Sequence, residues 1–206
     1  QGICGYLVFF VAIFYLYRFW DVATVSEEPA CPHGEKSSRL IRAAGSLARK
    51  YMALLRRYPV RIVFSTMMIV NLPYMILSYP AIFMGDTGYQ ISQGFGETAL
   101  TNHHPVVHTL FLSLFLRAGE RIGSCNIGIF LYCLVQTVFL CFVIAYAVGS
   151  LVEIKANRIL TAVIVLYYCI HPRISSYFFL VAKDVFYSAF LTLFYILLFK
   201  LLQPEL

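Results

Sequence analysis

Two clusters of polar residues stand out in an otherwise apolar chain of 206 residues. The first is Gly85-Asp86-Thr87-Gly88-Tyr89-Gln90 followed by Asn102-His103-His104-Pro105, and the second is His171-Pro172-Arg173-Ile174-Ser175-Ser176 with Lys183-Asp184. The carboxylates of Asp86 and Asp184 can accept a proton from a hydroxyl or bind a divalent cation. Arg173 and Lys183 can hold a phosphate or diphosphate, arginine by two parallel hydrogen bonds. The clusters therefore predict acid–base chemistry on a phosphate-bearing substrate.

Each of these residues also has a simpler interpretation. Asp86 can be a helix-end residue in a solvated loop, and Asp184 can be the N-cap of the last apolar helix, where free amides and the helix dipole favour a carboxylate. Arg173 can extend its side chain to lipid headgroups. We take Asp86 and Asp184 as candidate catalytic and metal-binding residues. The candidate substrate-binding residues are His103, His104, Arg173, Lys183 and Gln90.

The histidines raise the alternative of a zinc site. His104 and His108 are four residues apart on a predicted helix, and with His103 they could supply three imidazole ligands. No glutamate of an HExxH motif lies between them, and the helix begins only at Pro105. Hydrogen-bonding or acid–base roles near Asp86 are favoured instead. The cofactor expectation is therefore a divalent metal ion at the aspartates, or none.

The composition predicts a membrane protein. Hydrophobic residues make up 60% of the chain and charged residues 13%, whereas soluble domains are nearer half apolar and a quarter charged. The net charge of +6 comes largely from a local basic block between Lys36 and Arg61, so it does not indicate nucleic-acid binding. Such a block beside a span marks the cytoplasmic side. The six scattered cysteines show no CxxC spacing, which favours core packing over a disulfide framework.

The N-terminal part divides into two segments. Residues 1–21 are predicted to be a transmembrane helix, truncated in a chain that we expect to be a fragment, and residues 22–61 a cytoplasmic linker and basic helix. Over residues 37–57 apolar residues recur on one helical face opposite basic ones. This pattern is typical of an amphipathic helix lying on anionic lipid, and the alternative is a flexible basic loop.

Residues 62–206 are predicted to be an all-α, polytopic transmembrane bundle with interfacial juxtamembrane helices. We expect spans over 62–84, 127–148, 159–174 and 185–202. The run from Val106 to Leu116 has only about 11 apolar residues and covers about half of a hydrocarbon core. A re-entrant or juxtamembrane helix is therefore expected there, not a crossing. On this topology the loops 85–104 and 175–183 share the outer surface, and Asp86 and Asp184 share it too. If 106–116 crossed, the aspartates would lie on opposite faces.

The order of these features resembles the GT-C superfamily of membrane glycosyltransferases. In that superfamily an outer-loop Asp follows a span, a His-Pro motif (here His103-His104-Pro105) opens an interfacial helix, and a second outer loop ends in an Asp that opens the next helix (here Lys183-Asp184). The resemblance covers roughly residues 62–203. The chain also resembles a bacterial group of membrane proteins with Asn-His-His-Pro and His-Pro-Arg-Ile-Ser-Ser signatures. It departs from GT-C enzymes in having Val106 for the second Pro, and Thr87 where the protein mannosyltransferases have Glu.

The resemblance implies transfer of a sugar from a polyprenyl-phosphate carrier to an acceptor on the outer face of the cell membrane. Asp86 would be the base for the acceptor hydroxyl or its orienter, and Asp184 would help to bind a divalent ion or the acceptor. Arg173 and Lys183 would hold the lipid phosphate. Two alternatives stay open. A transporter or flippase would carry charged or broken residues at mid-span, and a non-catalytic scaffold would depend on the basic helix 37–57 and tolerate loss of Asp86.

Overall fold

The computed structural model describes residues 35–101 and 103–202. Within them the chain forms an all-α bundle, which confirms the predicted fold class. The helices are α1 (Glu35–Arg57), α2 (Pro59–Leu77), α3 (Gly85–Phe95), α4 (Val106–Ile122), α5 (Cys125–Glu153), α6 (Arg158–Ile170), α7 (Pro172–Phe178) and α8 (Lys183–Leu202); two short strands are β1 (Ile82–Phe83) and β2 (Leu180–Val181). The predicted span over 1–21 and the linker before residue 35 lie outside the described residues.

Among residues 35–101 and 103–202, three helices are long and apolar enough to cross a bilayer: α2, α5 and α8. Helices α6 and α7 are bent by 63° at the His171–Pro172 break, and together they make a fourth crossing if the bent pair is one span. Proline at the first position of α7 explains the break, because its ring disfavours helical geometry in the residue before it. The protein is therefore a multi-pass membrane protein in contact with membrane lipid.

Helix α5 lies at the centre of the bundle, and the contacts along it give the directions of α2 and α8. Val60 lies against Gly149 and the ring of Tyr79 lies 5.4 Å from that of Phe130, so α2 is antiparallel to α5. Phe186 contacts Tyr132 near the start of α8, and Lys200 pairs with Glu153 at 2.7 Å near its end. Helix α8 therefore runs parallel to α5. Three of the described cysteines, Cys133, Cys141 and Cys169, are buried in this core, as expected.

Helices α4 and α5 form a tight hairpin around two glycines. A Cβ at Gly119 would lie 2.6 Å from the backbone nitrogen of Gly128, and a Cβ at Gly128 would overlap the carbonyl oxygen of Phe115. Gly123 turns the chain between the helices with φ 94°, a conformation that glycine adopts at little cost. Helix α4 contacts the first turns of α5, so it lies at one end of the bundle.

The predicted loops contain more structure than expected. The segment 85–104 begins with α3, and the segment 175–183 contains the end of α7 and strand β2. The span predicted over 62–84 is helical only as far as Leu77, and β1 follows. Helix α4 continues six residues past the expected end at Leu116, because Arg117, Glu120 and Arg121 are good helix formers despite their charge. At 17 residues α4 is not among the candidate spans.

Helix α1 begins and ends close to the predicted bounds of the basic helix. Its apolar residues divide between core and surface, since Leu55 is buried and Leu47 is exposed. Tyr51 shares a hydrogen bond of 3.1 Å with Thr66 of α2, which ties α1 to the first span. Only Tyr58 separates the two helices. We call the end of the bundle that carries α1 the basic end, and the opposite end, with Asp86 and Asp184, the aspartate end.

Candidate functional site

The two aspartates reach the same end of the bundle through a parallel strand pair. Strands β1 and β2 pair with Ile82 opposite Leu180 and Phe83 opposite Val181. Asp86 and Asp184 each stand three residues beyond the last paired residue of their strand. Each carboxylate lies in the first turn of the helix that follows its strand, α3 or α8. Two helices with an exposed aspartate in the first turn therefore start from neighbouring strands, at the same end of the bundle.

Buried hydroxyl and amide groups hold this pair of helix starts in place. Thr87 Oγ1 donates to the carbonyl oxygen of Val181 at 2.7 Å and accepts from the backbone N–H of Met84 at 3.0 Å. Gln136 Nε2 of α5 lies 3.3, 3.1 and 2.9 Å from the carbonyl oxygens of Tyr177, Phe178 and Leu180. The chain before Asp184 is thus anchored to α5, and the chain around Asp86 is anchored to β2.

Lys183 connects the two polar clusters of the sequence. Its Nζ lies 3.6 Å from Oδ2 of Asp86 and 3.5 Å from Nδ1 of His104. A lysine ammonium can only donate, so the contact with His104 requires a neutral imidazole with Nδ1 unprotonated. The Asp86 side chain is 63% exposed and that of Lys183 only 24%. The structure therefore gathers a carboxylate, an ammonium and an imidazole from three separate parts of the chain.

His104 is fixed by rings on two sides. It is 4% exposed, its ring stacks with Tyr89 at a centroid distance of 6.5 Å, and His103 meets it edge-on at 4.8 Å. His103 and Tyr89 are themselves exposed. The space beside Gly85 and Gly88 is open, since a Cβ at either position would meet nothing within 4 Å. His104 is therefore held by packing, whereas Asp86 and the space beside it are accessible from solvent.

A buried histidine–tyrosine pair lies below this cluster. His108 Nε2 is 2.7 Å from the hydroxyl of Tyr132, while Nδ1 of His108 is buried and has no hydrogen-bond partner among the described residues. Burial, with the nearby positive charge of Lys183, lowers the pKa of His108 to about 4. His108 therefore stays neutral at physiological pH, which suits a hydrogen-bonding role and not that of a cation.

This low pKa predicts a pH-dependent stability. Between pH 6.5 and 4 the unfolded chain binds a proton that folded His108 does not, so stability falls as the pH falls. We expect His108 to account for a loss of about 1–2 kcal/mol between pH 7.5 and pH 5. Thermal unfolding in detergent at both pH values checks this: His108→Gln should flatten the pH dependence. The exposed control His103→Gln should leave it unchanged, and equal slopes for wild type and His108→Gln would contradict the assignment.

Two of the candidate residues do not join the cluster. Arg173 is exposed on α7, and its guanidinium makes no hydrogen bond or ion pair with another residue of the described segments. Gln90 is 1% exposed, because it lies on the face of α3 that packs into the bundle. A direct contact of Gln90 with substrate, as predicted, therefore does not fit its position. Three residues that were not among the candidate site residues, Thr87, Tyr89 and Tyr132, support the cluster instead.

Few side chains of the described residues are placed to bind the expected divalent metal ion. Within residues 35–101 and 103–202 no group of three or more His, Cys, Asp or Glu side chains is placed to hold an ion. The predicted pair, Asp86 and Asp184, offers two carboxylates on neighbouring helix starts. Mg²⁺ is commonly held by one or two carboxylates with water and substrate phosphate completing its shell, so the pair fits that mode of binding. It does not fit a zinc site built on the histidines.

An apolar cavity of about 460 Å³ begins beside Asp184 and extends along α8. Its residues include Leu140 and Ile144 of α5, Tyr168 of α6, and Ala189 and Thr192 of α8, with Asp184 and Met84 at the polar end. From Asp184 to Thr192 the helix rises about 12 Å. The cavity therefore joins the aspartate end to the part of the bundle that faces the hydrocarbon core.

The helices and the polar cluster define the class, a helical multi-pass membrane protein with a site at one end of its bundle. Residues 95–205 match the family of unknown function DUF6020, which is more than half of the chain. The chain belongs to that family. No curated protein and no solved structure matches it. The matched segment contains His104 and the Lys183-Asp184 pair but not Asp86.

Proposed function

We propose that this protein is a membrane glycosyltransferase of the GT-C type, which transfers a sugar from a polyprenyl-phosphate donor to an acceptor on the extracytoplasmic face of the cell membrane. The main support is the register of the β1–β2 pair, which brings Asp86 and Asp184 to one surface beside Lys183. The positive-inside rule assigns the basic end to the cytoplasm and so the aspartate end to the outside. A sugar donor carried by a lipid would then meet its acceptor at the outer surface.

The cluster contains the groups that an inverting displacement requires. The acceptor hydroxyl oxygen attacks C1 of the sugar, its proton passes to the Asp86 carboxylate, and the bond from C1 to the phosphate oxygen breaks. The leaving polyprenyl phosphate takes the bonding electrons, and Lys183 stabilises its charge. A divalent cation held by Asp86 and Asp184 would add charge stabilisation for the same leaving group. His104, hydrogen-bonded to Lys183, orients the ammonium towards that position.

The apolar cavity supports a lipid-linked donor over a soluble nucleotide sugar. A prenyl chain is a branched hydrocarbon, and burial of its methylenes is favourable in a cavity that is largely apolar. The polar end of the cavity is Asp184, and Lys183, the residue before it, would hold the phosphate of the donor outside the mouth of the cavity. The transporter alternative gains less support, because the charged residues of the cluster lie at helix starts and not at mid-span.

A donor-consumption assay tests the proposal. The full chain, purified into lipid nanodiscs, is incubated with polyprenyl-phosphate-linked radiolabelled hexoses, and the released polyprenyl phosphate is measured. Ala189→Phe fills the cavity beside Asp184, and we expect it to raise KM for a long-chain donor about tenfold while leaving kcat similar. In sealed proteoliposomes, movement of intact donor across the bilayer without release of polyprenyl phosphate would support a flippase and contradict the proposal.

A further inference from the structure

A second cavity, of about 260 Å³, lies at the basic end, away from the aspartates. It is formed where the end of α1 meets the end of α5 and the turn into α6. Met52, Leu55 and Val152 give it an apolar wall, while Arg56 and Lys155 bring two positive charges to it. An apolar wall beside two cations is the chemical complement of an amphiphilic anion.

The protein does not neutralise these two charges. Over residues 35–101 and 103–202 neither Arg56 nor Lys155 has a carboxylate within ion-pair distance. The nearest carboxylate in sequence, Glu153, is paired with Lys200 at 2.7 Å. Two cations on one cavity repel each other, so an anion bound between them would relieve that repulsion.

The cavity lies at the level where lipid headgroups are found. Helix α2, a candidate span, begins at Pro59, and Val60 packs on Gly149 close to the cavity wall. The guanidinium groups of Arg57 and Arg61 lie 5.3 and 5.8 Å from the centroid of the Tyr58 ring. Tyrosine and arginine concentrate at the boundary between hydrocarbon and water. A phospholipid of the adjacent leaflet could therefore reach the cavity without leaving the bilayer.

The backbone at Lys155 is unusual for a lysine. Its φ is 55°, in the left-handed region that favours glycine, where it ends α5. The turn is closed by hydrogen bonds from Lys155 N to Val152 O and from Ala156 N to Leu151 O, both at 3.0 Å. Glycine adopts this conformation at lower cost than lysine, so Lys155 is a mildly strained residue in this turn. Local strain of this kind is concentrated at ligand sites.

We propose that this cavity binds one anionic phospholipid, with the lipid phosphate between Arg56 and Lys155. The part of an acyl chain nearest the headgroup would then lie against Met52, Leu55 and Val152. This site is more specific than a general attraction of the basic helix to the membrane. It is independent of sugar transfer at the aspartate end. The bound lipid would join α1 to the α5–α6 turn, two elements that the cavity separates.

Native mass spectrometry of the full chain from detergent micelles tests the proposal. Phosphatidylglycerol and phosphatidylcholine with identical acyl chains are added in turn. We expect one phosphatidylglycerol to be retained per chain, at least about tenfold more tightly than phosphatidylcholine. Arg56→Gln combined with Lys155→Gln should reduce that affinity by about tenfold or more, because two charge-assisted contacts are lost.

The matched control removes two positive charges from α1 at positions that do not line the cavity. Arg49→Gln with Lys50→Gln should change phosphatidylglycerol binding less than about threefold. Lys155→Gly separates lipid binding from folding. It should raise the melting temperature of the protein slightly and still lower its affinity for phosphatidylglycerol. An equal loss in the control pair, equal retention of phosphatidylcholine, or displacement by glycerol phosphate at equal concentration would each overturn the proposal.

Discussion

Replacing either aspartate of the cluster should abolish sugar transfer while leaving the protein folded. We expect Asp86→Asn to lower the rate of donor consumption by about 10²–10⁴-fold, the usual contribution of a general base. Asparagine preserves the shape of the side chain but cannot take the proton of the acceptor. Because Asp86 is 63% exposed, its loss should cost little stability.

The same measurement on Asp184→Asn tests the pairing of the two carboxylates. If both bind one substrate assembly, the double variant should be no slower than the more damaged single variant. In cells, Asp86→Asn should remove the surface glycan that depends on this protein at unchanged expression. Glu97→Gln is the matched control, an exposed carboxylate beyond the end of α3 that the cluster does not include. Full activity of Asp86→Asn would rule out its role as the base.

Gln136→Leu should strongly destabilise the bundle. Leucine is close in size to glutamine but removes the amide that serves the carbonyl oxygens of Tyr177, Phe178 and Leu180. Gln136 is fully buried, and its amide hydrogen bonds to Tyr177 and Leu180 are part-buried. Thr137 Oγ1 would keep its 3.1 Å hydrogen bond to Phe178, so two carbonyls would lose their side-chain partner. At about 1–3 kcal/mol for each, the loss would be about 2–6 kcal/mol, and we expect the lower half of that range because both hydrogen bonds are only part-buried.

Denaturant unfolding in mixed micelles measures this loss, and protease sensitivity localises it. The segment 177–183 should be cleaved faster in Gln136→Leu than in wild type, because its anchor on α5 is lost. Val135→Leu is the control, an exposed position on the same helix where the apolar substitution should be neutral. An unchanged unfolding midpoint in Gln136→Leu would show that the segment is held by its apolar contacts alone.

The spans could be predicted from sequence because each is a long and strongly apolar run. The apolar runs now found in α2, α5 and α8, and the shortness of the run at 106–116, were sufficient to place both aspartates at one end. The ends of elements were less predictable. The helical residues of α3 are mostly polar and glycine-rich, so the composition of 85–95 indicated a loop.

The contacts that position the site residues could not be predicted from the sequence. Strands β1 and β2 have two residues each, too few for any alternation to be visible, yet their pairing brings together the starts of the two helices that carry Asp86 and Asp184. Gln136 was noticeable as the one strongly polar residue in the middle of 127–148, but its partners are backbone carbonyls, which every residue has. Conversely Gln90 follows Asp86 by one helical turn, and only packing shows that its side chain is buried.

The length of α5 sets the height of the site above the bilayer. Helices α2 and α8 have 19 and 20 residues, about 30 Å, which matches the hydrocarbon thickness, whereas α5 has 29 residues and measures about 43 Å. Glu153 aligns with Lys200 at the basic end, so the excess of about 13 Å projects at the aspartate end and carries α4 with it. A thicker membrane would bury this projecting end of α5 in the hydrocarbon core. The protein should therefore work best in bilayers of ordinary thickness and lose activity in those made from longer acyl chains.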